Sequence, residues 1–105
     1  MQSLMRIIVP VKDNTGRQMM AGHTQFRDTI IGVSGGVTEI YVIGHWRGFD
    51  GILSSEVGMA YDFTVRTDLE LETIKRAFWR LFPDQKALFV AQLGYASIEE
   101  RPDHA

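Results

Sequence analysis

The segment between residues 45 and 62 concentrates side chains that can do chemistry. It holds two carboxylates, Glu56 and Asp62, which can attract a cationic ligand or bind hydroxyl groups. Glycines at positions 44, 48, 51 and 58 allow the backbone to approach a bound molecule closely, because glycine has no Cβ. Aromatic and basic side chains within or beside the segment are candidates for substrate binding: Tyr41, His45, Trp46, Tyr61 and Arg66. For each of these residues the alternative is a structural role, as a surface charge or as part of the core.

Metal and nucleophile motifs are missing from the sequence. His23, His45 and His104 lie far apart, without the spacing of a zinc site. The chain has no cysteine, which excludes disulfides, thiolate metal sites and cysteine nucleophiles. Ser54, His45 and Asp50 could form a triad on paper, but no G-x-S-x-G turn frames Ser54. The sequence therefore predicts neither a metal nor a cofactor.

Length and composition indicate one globular domain. The chain has 105 residues, of which 45% are hydrophobic and 23% charged. We expect a single domain with a core at about 5–99 and a polar tail at 100–105. The net charge of −2 is unlike that of proteins that grip duplex DNA. No apolar run reaches the ~20 residues of a membrane span, and no signal peptide precedes the domain, so we expect a cytoplasmic protein.

The elements that position the candidate site follow from hydrophobic periodicity. Helical spacing places Phe26, Ile30 and Val33 on one face, and Gly35 is a typical helix end. Thr67 and Glu70 have the spacing of a capping box at the start of a second helix, which Pro83 ends. Four strands are predicted at 5–12, 37–46, 57–67 and 86–99, and two helices at 20–34 and between Thr67 and Pro83.

The order β-α-β-β-α-β predicts an α+β, ferredoxin-like fold, with a four-stranded antiparallel sheet, strand order 4-1-3-2, and two helices on one face. The fourth strand is then an edge strand, yet it is apolar on both faces. An exposed edge of this kind invites pairing with another chain, so we expect an oligomer. The alternative is that the loop at 13–22 covers the edge.

The open sheet face resembles that of an RNA-recognition domain in topology but not in chemistry. Alternation along the third strand directs Tyr61 and Phe63 toward the helices and leaves Ala60, Asp62 and Thr64 on the open face. Bases stack on aromatic side chains at these positions in RNA-recognition domains. The acidic Asp62 at such a position argues against nucleic acid as a ligand.

The stretch from Gly35 to Ile98 resembles the phage-encoded S-adenosylmethionine lyases, small βαββαβ proteins that form trimers similar to PII-type trimers. The resemblance covers about two-thirds of the chain. Its motifs are the hairpin Gly44–Phe49, the acidic segment Ser54-Ser-Glu56, the strand segment Thr64-Val-Arg66 and the segment 85–90. In the family, an acidic pair closely precedes the Thr-Val-Arg segment, whereas this chain has Tyr61-Asp62 there and Glu56 earlier.

The resemblance implies a lyase that converts S-adenosylmethionine to methylthioadenosine and homoserine lactone. The substrate's own carboxylate is the nucleophile, so the enzyme needs only to orient it and exclude water. The resemblance further implies a homotrimer in the cytoplasm of a host cell, no cofactor, and an intersubunit site in which Glu56 and Asp62 act as the catalytic carboxylates. Two alternatives remain open: a non-catalytic phage-type protein that binds a nucleotide or blocks a host protein, and a metabolic enzyme of the dimeric α+β barrel kind.

Overall fold

The structure is a computed structural model that describes residues 1–103; His104 and Ala105, at the end of the expected polar tail, lie outside the described residues. The chain forms β1 (Gln2–Pro10), α1 (Met20–Ser34), β2 (Thr38–Arg47), β3 (Leu53–Val65), α2 (Asp68–Leu81) and β4 (Phe89–Ala96). The sheet is antiparallel with the order β2-β3-β1-β4. The predicted ferredoxin-like fold and its strand order are confirmed.

The β2–β3 hairpin is longer than the sequence indicated. β3 begins at Leu53 rather than at Val57, because Leu53 pairs with Arg47 and the ladder continues down to Thr38. The tip is closed by hydrogen bonds from the amide of Gly48 to the carbonyl of Ile52 and from that of Gly51 to the carbonyl of Gly48. The hairpin contributes to an elongated molecule, 59 Å long and 24 Å across in the other two directions.

The core lies between the helices and one face of the sheet. Alternate residues of β1 and β3 point into it, as the period-2 pattern predicts. Aromatic rings from both helices meet there, with Phe26 edge-on to Tyr61 and to Phe82. The buried apolar residues of the core cluster are Met5, Ile7, Val9, Phe26, Ile30, Tyr61, Phe63, Val65, Ile74, Ala77, Phe78 and Phe82.

Both helices begin or end as their sequences predict. Gly35 adopts a left-handed conformation (φ 86°) and donates its amide hydrogen to the carbonyl of Ile31, which ends α1. Thr67 caps α2 by accepting a hydrogen bond from the amide of Glu70. The other half of the capping box differs, since the Glu70 carboxylate accepts from the amide and the guanidinium of Arg66.

The second face of the sheet is covered by no element of the described chain. Arg6 and Asp62 form a two-pronged ion pair across β1 and β3 on this open face, with N–O distances of 2.7 and 2.8 Å. Apolar side chains on the same face include Ile8, Ile40 and Val42, and Ile40 is 41% exposed. The open face is therefore largely apolar and available for contact with another molecule.

The edge strand β4 is also uncovered within the described chain. Phe89, Val90 and Leu93 are all solvent-exposed. The loop at 13–22 reaches only the segment before β4, where the Asn14 side-chain amide donates to the carbonyl of Asp84. The loop thus does not cover the apolar edge, and that alternative to oligomer formation is wrong.

Candidate functional site

A trough of about 670 Å³ runs across the open sheet face, a volume within the range of small-molecule sites. Its floor is formed by β1, β2 and β3, and its far wall by the segment that leads into β4. Trp46 and Glu56 line it, and they are the two predicted site residues that the structure brings together here. The full lining comprises Ile8, Pro10, Asn14, Val42, Ile43, Gly44, Trp46, Glu56, Gly58, Gln85, Lys86, Ala87, Leu88 and Phe89.

Glycines give the trough its depth. The Trp46 indole lies over Gly44, and a Cβ at Gly44 would come within 2.7–2.9 Å of three indole atoms. A Cβ at Gly58 would come within 3.2 Å of the side chain of Ile8 and of the carbonyl of Val9. Because neither position carries a side chain, the Trp46 indole and the Ile8 side chain can lie close to the strand backbone. The indole, which is 43% exposed, remains available to a flat molecule in the trough.

Two opposite charges face the trough from either side of β1. Glu56 comes from β3, and Lys86 comes from the segment before β4. Neither side chain makes a hydrogen bond or an ion pair with another residue in the 1–103 range. Unpaired charges beside an aromatic ring are suited to a polar ligand, because each can form a charge-assisted hydrogen bond to it.

A rigid loop presents a third polar group, Asn14. The Asp13 carboxylate accepts hydrogen bonds from the hydroxyl and the amide of Thr15 and from the amide of Arg17. These bonds, the Thr15 hydroxyl foremost, lower the pKa of Asp13. Gly16 completes the turn in a left-handed conformation. The loop holds Asn14 at one end of the trough, where it also bonds to the carbonyl of Asp84.

The other predicted site residues lie elsewhere. Asp62 is on the open face as expected, but its carboxylate is paired with Arg6 and does not line the trough. Arg66 follows β3 and forms an ion pair with Glu70 at the start of α2. His45 points away from Trp46, since neighbouring strand residues alternate in direction, and it forms a cross-strand hydrogen bond of 2.7 Å with Ser55.

Tyr41 and Tyr61 line a second, smaller cleft of about 370 Å³ between α1 and β2. Tyr61 is 1% exposed, so it belongs to the core more than to a site. Its hydroxyl lies 2.5 Å from Nδ1 of His23, whose Nε2 lies 2.8 Å from the carbonyl oxygen of Pro10. A carbonyl can only accept, so Nε2 carries the hydrogen and the neutral imidazole accepts the Tyr61 hydroxyl at Nδ1.

Burial sets the ionisation of this pair. It lowers the pKa of His23, because the imidazolium would lose its hydration, and it raises the pKa of the Tyr61 phenol for the corresponding reason. On the exposed side of the cleft, Arg27 and Glu39 form an ion pair of 2.6 Å. His23 therefore acts as a neutral hydrogen-bonding link between the core and the end of β1.

Sequence reasoning missed the contribution of the segment 85–89 and of Asn14 to the site. Lys86 and Phe89 were part of a predicted strand, with no sign that they face Glu56. The signal that was available is the glycine spacing: Gly44 and Gly58, both noted as points of close approach, form the trough floor. The spacing of the glycines could not predict which residues flank them in the sheet: Gly58 pairs with Pro10 on β1 and with Val42 on β2.

No cluster of three or more His, Asp or Glu side chains suited to a metal ion occurs within residues 1–103. Among the same residues, no helix is long and apolar enough to cross a membrane.

No protein-family model matches the sequence, and no curated protein matches it. Solved structures do match. The divalent cation tolerance protein (Cut A1) from Thermus thermophilus superposes with a TM-score of 0.70 and 13% identity, over 94% of this chain and 88% of its own. The PII-like protein CutA from Nostoc sp. PCC 7120 superposes with a TM-score of 0.57 and 12% identity, over 89% of this chain and 80% of its own. The periplasmic divalent cation tolerance protein CutA from Archaeoglobus fulgidus superposes with a TM-score of 0.61 and 9% identity, over 99% of this chain and 90% of its own.

These comparisons overturn the resemblance to phage-encoded S-adenosylmethionine lyases. The structural neighbours are CutA proteins, and nothing among the matches supports a lyase activity, S-adenosylmethionine as substrate or a phage origin. The motifs behind the resemblance were loop and strand segments that any βαββαβ chain with a glycine-containing hairpin can carry. At identities of 9–14%, the neighbours establish the fold of this chain, which is the ferredoxin-like fold of the CutA proteins.

Proposed function

We propose that this chain is a non-catalytic binding protein that takes a nucleotide in the trough on its open sheet face. The observation that carries the proposal is the arrangement of Trp46, Glu56 and Lys86 around a floor of glycines. The indole offers a stacking surface for a base, the carboxylate an acceptor for ribose hydroxyls, and the ammonium a partner for phosphate. No group in the trough is placed as a nucleophile with an adjacent base, which favours binding over catalysis.

The proposal is tested by titrating the purified protein with adenosine, AMP and ATP in a calorimeter. We expect the phosphorylated ligands to bind more tightly than adenosine, and Lys86→Gln to abolish that difference. Glu56→Gln should weaken the binding of all three by about tenfold to a hundredfold, since a hydrogen bond to a charged group contributes about 1.5–3 kcal/mol. Lys12→Gln and Glu100→Gln, which alter charges outside the trough, serve as matched controls.

Failure of all three ligands to bind would disprove the nucleotide proposal, as would binding that neither trough variant changes. A divalent cation is titrated in parallel, because the structural neighbours are described as divalent cation tolerance proteins. A cation that binds while the nucleotides do not would replace the proposed ligand.

We also propose that the protein works as a homo-oligomer, specifically a homotrimer. β2 and β4 are the two free edges of the sheet, and they run antiparallel to each other. The β4 of one copy can therefore continue the antiparallel ladder at the β2 of the next, and repetition of such a head-to-tail contact closes into a ring. The apolar open face and the exposed hairpin supply the surface that the assembly would bury.

A cytoplasmic location remains part of this proposal. The Archaeoglobus neighbour is described as periplasmic, so the location of this chain needs its own measurement. Fractionation of the source cells into periplasmic and cytoplasmic extracts, followed by detection of the protein, distinguishes the two.

A further inference from the structure

The outer surface of α2 carries an unpartnered stripe of side chains that the trough does not use. We call it the α2 stripe and define it by Leu69, Arg76, Trp79 and Arg80. Leu69 is 70% exposed and Trp79 is 44% exposed. The two arginines lie about one helical turn apart on one face, because residues four apart share a face, and Trp79 lies beside them on the outer surface of the helix.

The arginines of the stripe differ from three others in the chain. Arg6, Arg27 and Arg66 are each held by a carboxylate. Arg76 and Arg80 make no hydrogen bond or ion pair with any of residues 1–103, and neither does the indole Nε1 of Trp79. Two free guanidinium groups and a free indole donor thus project from one helical turn.

The helix that carries the stripe is held in place by the core. α2 is anchored by Ile74, Ala77 and Phe78, which are buried in the core. The Trp79 ring packs edge-on against Phe78, with ring centroids 4.9 Å apart and planes at 79°. A partner that binds here therefore meets a helix and an indole that are already held in place, and only the two arginine side chains have to be ordered on association.

We infer that the α2 stripe is a docking surface for an acidic segment of a partner protein. Guanidinium groups bind carboxylates through two parallel hydrogen bonds, and Trp and Arg are the residues that contribute most at protein interfaces. The stripe offers carboxylates two such groups, with Trp79 and Leu69 as apolar contacts beside them. Glu72 lies on the same face between Leu69 and Arg76, and its charge is paired with Lys75. The stripe lies on the helical side of the sheet, opposite the trough, so this inference does not depend on the proposed nucleotide site.

A nucleic acid is the less favoured occupant of this surface. Non-specific nucleic-acid binding relies on many phosphate contacts and on overall positive charge. The stripe supplies two free cations on a chain of net charge −2. An acidic peptide needs only the local pair of arginines and an apolar surface, and both are present.

The test is a nuclear magnetic resonance titration of the full chain, which reports the two indole N–H groups separately. The probe is a short capped peptide of alternating Glu and Leu, and its control is the same peptide with Gln in place of Glu. We expect the Glu peptide to shift the resonance of Trp79 and not that of Trp46, and the Gln peptide to shift neither. The double variant Arg76→Gln/Arg80→Gln should weaken binding by at least tenfold, since each arginine contributes a charge-assisted contact.

Arg17→Gln is the matched control, because it removes an exposed cation from a loop outside the stripe. The melting temperature of each variant verifies folding. The inference is overturned if excess Glu peptide leaves the Trp79 resonance unmoved, or if the Gln peptide shifts that resonance as the Glu peptide does. It is also overturned if Arg17→Gln weakens peptide binding as much as the double variant Arg76→Gln/Arg80→Gln. Displacement of the peptide by a single-stranded oligonucleotide that binds more tightly would also overturn it.

Discussion

At the scale of single residues, Gly44 and Trp46 depend on each other. The indole occupies the space where a side chain at position 44 would be, with three of its atoms within 2.7–2.9 Å of that Cβ. The Trp46 indole can therefore take its position in the wall of the trough only because Gly44 has no Cβ. Spacing in the sequence marked Gly44 as a point of close approach, but the neighbour that approaches it is a residue of the same strand.

Gly44→Ala is expected to push the indole out of its position and to weaken nucleotide binding by about tenfold, the equivalent of one lost contact of about 1.4 kcal/mol. Calorimetric titration measures the change. The control is Gly32→Ala, since Gly32 lies in α1 and a Cβ there would meet no atom within 4 Å. That control should bind normally and gain about 0.5–1 kcal/mol of stability, because alanine favours a helix interior. Normal binding by Gly44→Ala would contradict the proposed role of the indole.

His23 makes the stability of the protein depend on pH. Its pKa in the folded protein is below the ordinary value of 6.5 because the imidazole is buried. The unfolded chain then binds a proton more readily than the folded chain, so the free energy of unfolding falls as pH decreases below about 6.5. The slope is at most about 1.4 kcal/mol per pH unit for one proton.

Urea unfolding at a series of pH values and a fixed protein concentration measures this slope. His23→Gln should remove it, and should also lower the stability at pH 7 because the hydrogen bond from Tyr61 is lost. His45→Gln, which changes an exposed histidine, should keep the slope. An unchanged slope in His23→Gln would show that another group titrates.

At the scale of elements, the start of α2 is capped by the residues that the sequence pattern predicts. Thr67 is extended, and its hydroxyl accepts the amide hydrogen of Glu70 at 3.2 Å. The Glu70 carboxylate reaches past Thr67 to Arg66, whose guanidinium and amide both bond to it, and these bonds lower the pKa of Glu70. The start of α2 is therefore stabilised by two sets of contacts, the Thr67 hydroxyl with the Glu70 amide and the Glu70 carboxylate with Arg66.

Thr67→Ala should lower the free energy of unfolding by about 1 kcal/mol, because an amide hydrogen at the helix start loses its acceptor. Thr73→Ala provides the comparison within the same helix. Its hydroxyl bonds back to the carbonyl of Leu69, which contributes little, and alanine has the higher helix propensity. Chemical denaturation should therefore show a loss for position 67 only; equal losses at both positions would argue against the cap.

At the scale of the whole molecule, the apolar surface is distributed unequally between the two sides of the sheet. The helical side is covered by α1 and α2, while the open face and the β4 edge leave large apolar side chains in water. Such a surface is typical of a protein–protein interface or a ligand-binding groove, and it is the surface that the proposed oligomer would bury. The proposed trough lies on this open face, so assembly and ligand binding would share it.

Light scattering coupled to gel filtration should give about three times the chain mass of 11.9 kDa. Ile40→Asp places a charge on the open face and should shift the mass toward that of a single chain without changing the secondary structure seen by circular dichroism. Ile31→Asp is the matched control, because Ile31 is exposed to nearly the same degree, 43% against 41%, but lies on α1. A wild-type monomer, or an Ile40→Asp variant that stays assembled, would contradict the proposed interface.

The sequence by itself determined the local structure of this protein. Both helices, their buried faces and the glycine that ends α1 follow from contacts between residues three or four apart. The alternation Met59, Tyr61, Phe63 and Val65 determined which face of β3 meets the helices. From these elements and the handedness of their connections, the βαββαβ fold follows as well.

Only the tertiary structure decided where the trough of the proposed site lies. The trough combines residues near positions 10, 44, 57 and 87, which come together through the pairing of β2 with β3 and of β1 with both β3 and β4. Pairing between distant strands leaves no signature in local spacing, so the sequence could mark Trp46 and Glu56 but not Lys86 opposite them. The same limit explains Asp62 and Tyr61, whose partners Arg6 and His23 are 56 and 38 residues away in the chain.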